Sequence, residues 1–190
     1  MNGRGVCQYL LYIGGINMKL VDKKIAMLVG PKYEDLEFWV VYMRMIEEGA
    51  DVTIVGPDEG TEYISKSDGL TVEVEAAASD LDSTEFDAVL VPGGWAPDKI
   101  RRYEGVINLV QEIYEQDKIV GMICHAGLVG ISAGIVEGKE ATGSQGIKDD
   151  LINAGAKWVD QAAVKDGNLV WGRVVKDIPD YCRLLVEALQ

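Results

Sequence analysis

Short apolar runs rich in β-branched residues alternate with helical segments along most of this chain. Strands are predicted at residues 24–29, 51–55, 70–74, 86–91 and 119–123. Helices are predicted at residues 35–48, 97–116, 126–136, 147–154 and 178–189. Strands that alternate with helices of this length form parallel βαβ units with helices on both faces of one sheet. The pattern therefore predicts a single-domain α/β fold, a three-layer sandwich with a mostly parallel central sheet.

Both ends of the chain depart from this alternation. Residues 162–171 predict a β-hairpin that turns at Asp166-Gly167-Asn168. At the other end, the apolar run at residues 9–13 is far shorter than the roughly 20 residues that span a bilayer. We interpret residues 1–17 as an N-terminal extension of uncertain status and residues 18–190 as the folded domain.

The net charge and the few cysteine and histidine residues limit the kinds of molecule that this protein is expected to bind. A formal net charge of −13 argues against binding to nucleic acid or to an anionic membrane, since both would be repelled. The expected partners are small molecules, peptides or further copies of the chain. Three scattered cysteines and a single histidine form neither a disulfide framework nor a metal-ligand spacing. We therefore predict no metal and no cofactor, and a reducing cytoplasmic location.

The histidine, His125, directly follows Cys124, at the point where a predicted strand meets a run of small residues that opens a helix. A side chain at such a turn is held out at the carboxyl edge of the sheet, as a nucleophile requires. The helix N-terminus and the imidazole both favour a thiolate. We expect Cys124 to have a depressed pKa and to be alkylated faster than Cys7 or Cys182. Adjacent side chains rarely face each other, so a dyad requires a turn that curls the imidazole back.

Other polar and flexible residues follow neighbouring strands, where sites form in an open parallel sheet. Glu34 begins a helix after the first strand, and Asp35 and Glu37 compete with it for a role beside the thiol. We predict that Glu34 lies nearest the sulfur. After a central strand, Gly93 and Gly94 let the backbone approach a ligand, and an N–H there could join that of His125 in an oxyanion hole.

Together these motifs resemble the PfpI family of intracellular cysteine peptidase-like proteins, within the class I glutamine amidotransferase-like superfamily. The resemblance covers about residues 18–190 and implies a flavodoxin-like fold. Its most specific segments are residues 33–37, 86–88, 92–97, 123–125, 131–134 and 146–155.

The resemblance also implies roles for individual residues. Cys124 is the nucleophile, His125 pairs with an acid from a neighbouring subunit, and a glutamate after the first strand contacts the thiol. Carried onto this sequence, the acid is Asp98 and the glutamate is Glu34, while Gly94 and His125 supply backbone oxyanion donors. A homo-oligomer follows, either a dimer or a hexamer built of dimers.

The sequence is compatible with three functions. The leading hypothesis is a peptidase-type cysteine hydrolase, in which Cys124 attacks a peptide carbonyl. The first alternative, which the resemblance to glyoxalase and deglycase members implies, is an enzyme that acts on small carbonyl compounds such as methylglyoxal. The second is a redox-sensing stress protein or chaperone in which oxidation of Cys124 is the signal. We expect Glu34 within hydrogen-bond reach of the thiol to favour carbonyl or sensor chemistry, and an engaged His125 and Asp98 to favour hydrolysis.

Overall fold

The computed structural model describes residues 18–190 and contains eleven strands in that part of the chain. The strands are β1 (Lys24–Leu28), β2 (Asp51–Gly56), β3 (Glu62–Ile64), β4 (Thr71–Glu73), β5 (Ala76–Ala77), β6 (Ala88–Val91), β7 (Ile119–Ile123), β8 (Glu140–Ala141), β9 (Lys157–Trp158), β10 (Ala163–Asp166) and β11 (Leu169–Gly172). The helices are α1 (Asp35–Glu47), α2 (Ala96–Ile100), α3 (Glu104–Glu115), α4 (Gly127–Ser132), α5 (Lys148–Asn153) and α6 (Ile178–Leu189). The predicted extension, residues 1–17, and Cys7 lie outside the described residues.

Seven of these strands form the central sheet, in the order β10-β11-β7-β6-β1-β2-β5. Every pair is parallel except β10 with β11, which form the predicted hairpin. The core strand β7 is buried along its whole length, as expected for a strand covered by helices on both faces. This order brings the carboxyl ends of β1, β6 and β7 side by side in the middle of the sheet, where ligands bind in open α/β folds.

Helices cover both faces of the sheet and complete the predicted three-layer α/β architecture. Apolar residues of α1 and α6, such as Phe38 and Leu185, pack on one face, and those of α3, α4 and α5, such as Val110 and Leu151, pack on the other. The α/β prediction is therefore confirmed. Within residues 18–190, no helix combines the length and apolar character that a membrane crossing requires.

Three predicted elements differ from the structure. The helix expected at 97–116 is two helices, because Tyr103 takes an extended backbone conformation between α2 and α3. The helix expected at 126–136 ends at Ser132, shortly before Gly134 with a φ of 70°, a left-handed conformation that terminates helices. The strand expected at 70–74 shortens to Thr71–Glu73 and pairs with β3 in a separate antiparallel hairpin.

Candidate active site

Cys124 lies at a sharp turn between β7 and α4. Its backbone has a φ of 63°, a conformation that is uncommon for a residue with a Cβ atom. Such strain persists only where the surrounding structure holds it, and here the Cys124 carbonyl accepts a hydrogen bond of 3.1 Å from the Ser144 amide. The turn holds the half-buried thiol at the carboxyl edge of the sheet. This is the placement that the sequence predicts for the nucleophile.

The acid beside the thiol is Glu37, on the first turn of α1. Its carboxylate lies beside Cys124, since both would touch a Cβ atom placed on Gly93, and its Oε2 atom accepts a hydrogen bond of 2.9 Å from the Gly93 amide. Glu37 is completely buried. Its other oxygen, Oε1, has no hydrogen-bond partner among the described residues. An acceptor left alone in an apolar environment favours the protonated form of the acid.

Burial raises the pKa of Glu37 to about 7, and the negative charge of Glu34 adds to this effect. Hydrogen bonds from Cys124 and Gly93, together with the positive charge of Lys66, lower the pKa in part. A carboxyl group with this pKa exchanges its proton near neutral pH, which is the property that general acid-base catalysis requires.

The prediction of a depressed thiol pKa is wrong, because it accounted neither for the burial of the thiol nor for the carboxylate beside it. Burial, then the negative charge of Glu37 and the hydrogen bond to it, raise the pKa of Cys124 to about 12. The amides of Gly94 and His125 donate hydrogen bonds to the sulfur and act in the opposite direction. Protonation of Glu37 removes its charge, so the ionisation of the thiol is coupled to that of Glu37.

The prediction that Glu34 lies nearest the sulfur is therefore wrong. Glu34 precedes α1 as its N-cap, and its Oε2 atom accepts a hydrogen bond of 2.9 Å from the Glu37 amide. This bond satisfies a free amide at the helix N-terminus. Asp35 points elsewhere and accepts a bond from the Ser67 amide. Glu34 nevertheless lines the cavity above the thiol, where its charge acts on Glu37.

His125 curls back onto the thiol, as a dyad of adjacent residues requires. Its Nδ1 atom lies 3.3 Å from the Cys124 sulfur. Burial, then the positive charge of Lys66, lower the pKa of the imidazole, so the ring is neutral at neutral pH. Within residues 18–190 of one chain, no carboxylate is hydrogen-bonded to this ring. The histidine can accept a proton, but the described residues supply no acid to orient it.

Asp98, the acid predicted to act from a neighbouring subunit, lies on α2 with its side chain 44% exposed. Its carboxylate lies 2.8 Å from the Arg102 guanidinium and 3.5 Å from the Lys99 ammonium. Asp98 and His125 line the same surface cavity, with a volume of about 510 Å³. Its role as an acid toward a second subunit stays a prediction.

The loop after β6 packs its backbone directly against the acid and the thiol. A Cβ atom on Gly93 would lie 2.4 Å from the Glu37 carboxylate and 2.7 Å from the Cys124 Cβ atom, so a larger residue does not fit. Gly94 has a φ of 79°, which glycine adopts without strain. The amides of Gly94 and His125 both point at the sulfur. They are available to a substrate oxygen, and their role as an oxyanion hole stays a prediction.

Above the thiol is an open cavity of about 420 Å³. Trp95, which is 56% exposed, lies at its edge with its ring centroid 6.0 Å from that of His125. Lys66 and Lys176 also line the cavity, and the sequence analysis singled out none of these three residues. Among residues 18–190, no group of three or more histidine, cysteine or acidic residues is arranged to hold a metal ion.

Comparisons with known proteins identify the family of this chain. Residues 23–188 match the DJ-1/PfpI family. The chain is 38% identical to Deglycase PH1704 of Pyrococcus horikoshii, over 88% of this chain and 99% of that protein. It is 36% identical to the "Putative cysteine protease YraA" of Bacillus subtilis, over 90% of this chain and 100% of that protein.

The fold also matches solved structures. One is a two-domain protein of Anabaena variabilis that contains DJ-1/ThiJ/PfpI-like and ferritin-like domains. It superimposes with a TM-score of 0.86 and 36% identity over 88% of this chain and 48% of that chain. With the family match over most of its length, this chain belongs to the DJ-1/PfpI family, within the class I glutamine amidotransferase-like superfamily.

Proposed function

We propose that this protein is a cysteine-dependent enzyme that acts on small carbonyl compounds, with Cys124 as nucleophile and Glu37 as the group that moves protons. The observation that carries the proposal is the buried Glu37 carboxylate beside Cys124, where its negative charge raises the pKa of the thiol; its own pKa is raised to about 7. We take methylglyoxal as the test substrate of this class. The deglycase name of the relative in Pyrococcus horikoshii supports the same class of substrate.

The first step is addition of the thiol to the aldehyde carbon. The Glu37 carboxylate takes the thiol proton while the sulfur–carbon bond forms, and the former carbonyl oxygen then accepts a proton to give a hemithioacetal. The amides of Gly94 and His125, which point at the sulfur, are placed to stabilise the negative charge on that oxygen. The carboxylate therefore compensates for the low acidity that it imposes on the thiol.

The second step moves hydrogen within the bound substrate. Glu37, having passed the thiol proton to the former carbonyl oxygen, removes the proton from the carbon that bears sulfur. The hydroxyl proton moves to the neighbouring keto oxygen, and the former keto carbon receives the proton that Glu37 removed. The first carbon is thereby oxidised to a thioester while the second is reduced to an alcohol. Water then breaks the carbon–sulfur bond, releasing lactate and the free thiol. The net reaction is methylglyoxal plus water to lactate, with no external oxidant or reductant.

The peptidase hypothesis is the second candidate, and the 3.3 Å contact between His125 and the sulfur favours it. A cysteine–histidine pair is the arrangement that peptide hydrolysis uses, and the name of the Bacillus subtilis relative agrees with it. Within one chain, however, the Asp98 carboxylate is paired with Arg102. The described residues thus provide no acid that orients His125, whereas Glu37 needs no partner from another subunit to exchange a proton near neutral pH.

Parallel assays of the purified protein separate the two candidates. Lactate formation from methylglyoxal and cleavage of fluorogenic peptides are measured for the wild type and for the Cys124→Ala variant. Cys182→Ala serves as the control, because this buried cysteine lies on α6.

We expect methylglyoxal turnover that Cys124→Ala abolishes and Cys182→Ala retains. Peptide cleavage that depends on Cys124, without methylglyoxal turnover, would overturn the proposal in favour of the peptidase. A protein that catalyses neither reaction would leave the redox-sensing alternative.

A further inference from the structure

Two lysines lie at the cavity above the nucleophile. Lys66 follows β3 and Lys176 precedes α6, so distant parts of the chain bring them to the same opening. The Lys66 ammonium lies 5.9 Å from the centroid of the Trp95 ring. The amide of Lys66 donates a hydrogen bond of 2.8 Å to the Tyr33 carbonyl, which fixes the backbone at this position.

Neither ammonium group makes a salt bridge with the described residues. Other lysines of the protein do so. Lys23 and Lys32, for example, pair with Asp87 and Asp68. Both cavity lysines are exposed. Their positive charges are therefore available to a ligand.

The lining of the cavity is far less acidic than the chain as a whole. Its lining contains two lysines and two carboxyl groups, Glu34 and Glu37. Glu37 is partly protonated near neutral pH and His125 is neutral, as described above. Two ammonium groups at one opening, unpaired among the described residues, in a protein of net charge −13, are a local feature that attracts anions.

We propose that the substrate carries a negatively charged group, a carboxylate or a phosphate, which Lys66 and Lys176 bind while its carbonyl carbon meets the Cys124 sulfur. Of the two lysines, Lys66 acts more strongly on the reacting groups, because its positive charge lowers the pKa of both Glu37 and His125. The inference rests on the proposed function in naming a carbonyl substrate. The charge preference of the cavity is a separate property that is measured without turnover.

Alkylation with two reagents of the same shape measures that property. Iodoacetate carries a negative charge and iodoacetamide does not, and mass spectrometry reads the rate at Cys124 for each. We expect Lys66→Gln to lower the ratio of the iodoacetate rate to the iodoacetamide rate by about fivefold, as expected for loss of one nearby charge. The double variant with Lys176→Gln lowers it further. A change in thiol ionisation affects both reagents equally and cancels in the ratio.

Lys157→Gln is the matched control, because this lysine is exposed on β9 and lies outside the cavity. We expect its ratio to equal that of the wild type. We also expect added salt to reduce the wild-type ratio, since salt screens exposed charges. A double variant whose ratio equals that of the wild type would overturn the proposal.

Substrate pairs then test the same preference during turnover. One pair is 4,5-dioxopentanoate with its methyl ester, and the other is hydroxypyruvaldehyde phosphate with hydroxypyruvaldehyde. We expect kcat/KM to favour the charged member of at least one pair by about fivefold or more, and Lys66→Gln to remove that preference. The pair with the larger preference identifies the anion as carboxylate or phosphate.

Equal turnover of charged and neutral members would refute the anion preference and leave the proposed function standing. If no member of either pair and no methylglyoxal is consumed, the proposed function fails, and the substrate inference fails with it.

Discussion

The buried carboxyl group of Glu37 makes the stability of the folded protein depend on pH. In the unfolded chain its pKa is 4.5, and in the folded protein burial raises it to about 7. Between these values the folded state holds a proton that the unfolded state has lost, so the free energy of unfolding falls as pH rises. The stability is fully present below the unfolded pKa and is lost as pH rises toward the folded pKa. Each pKa unit corresponds to about 1.4 kcal/mol, so the full loss is roughly 3.4 kcal/mol.

The Glu37→Gln variant removes this dependence while keeping the shape of the side chain. The amide oxygen can still accept the Gly93 hydrogen bond, and any fixed cost of the new amide is the same at every pH. We therefore compare the two proteins at two pH values. Relative to the wild type, the variant should gain about 2.5 kcal/mol between pH 5 and pH 8, because most of the linkage falls within this range.

Urea unfolding at a fixed protein concentration measures the four free energies that the comparison needs. The concentration is held constant because assembly would change the apparent stability. Glu47→Gln is the control, since this side chain on the same helix is 73% exposed. A difference between Glu37→Gln and wild type that stays constant with pH would refute the assignment of a buried, partly protonated acid.

Three further predictions follow from the geometry of the site. Gly93→Ala should abolish activity, because the added Cβ atom would lie 2.4 Å from the Glu37 carboxylate; a folded variant with wild-type kcat/KM would contradict this. For methylglyoxal, kcat/KM should rise with pH through about 7 as Glu37 loses its proton, and a flat profile would count against Glu37 as the base. Light scattering should show a homo-oligomer, and Asp98→Ala should lower any activity that depends on His125. A monomeric protein whose Asp98→Ala variant is fully active would contradict both parts of this last prediction.

The sequence was sufficient to predict the fold and the sharp turn at Cys124 between a strand and a helix. Alternating strands and helices dictate a parallel sheet, and the change from an apolar strand to small residues at Cys124 marks the turn. The hairpin at 162–171 was equally clear, because Gly167 accommodates a left-handed conformation. These features depend on local chemistry that neighbouring residues specify.

The prediction that Glu34 is the acid beside the thiol failed, because the identity of this acid depends on which face of α1 is buried. Glu34 is closer to the strand end in sequence, but it lies outside α1 as the N-cap. Glu37 shares the buried face of α1 with Val41 and Met45, at intervals of four residues. A carboxylate on the apolar stripe of an amphipathic helix is the signal that identifies it. The pKa of the thiol could not be predicted without this acid.

The placement of Lys66 and Lys176 at the cavity also could not be predicted from the sequence. Lys66 lies in the loop between β3 and β4, and Lys176 follows β11; neither belongs to a motif. Only the tertiary fold brings them together above Cys124. Long-range placement of this kind depends on how loops close over the sheet edge.

The central claim is that Glu37 moves protons for a reaction at Cys124, and the activity of Glu37→Gln on methylglyoxal tests it most directly. We expect kcat/KM to fall at least about a hundredfold, the usual loss when a general acid-base group is removed. Alkylation of Cys124 by iodoacetamide should remain at least as fast as in the wild type, because the negative charge beside the thiol is gone. A Glu37→Gln variant that turns over methylglyoxal at the wild-type rate would contradict the account.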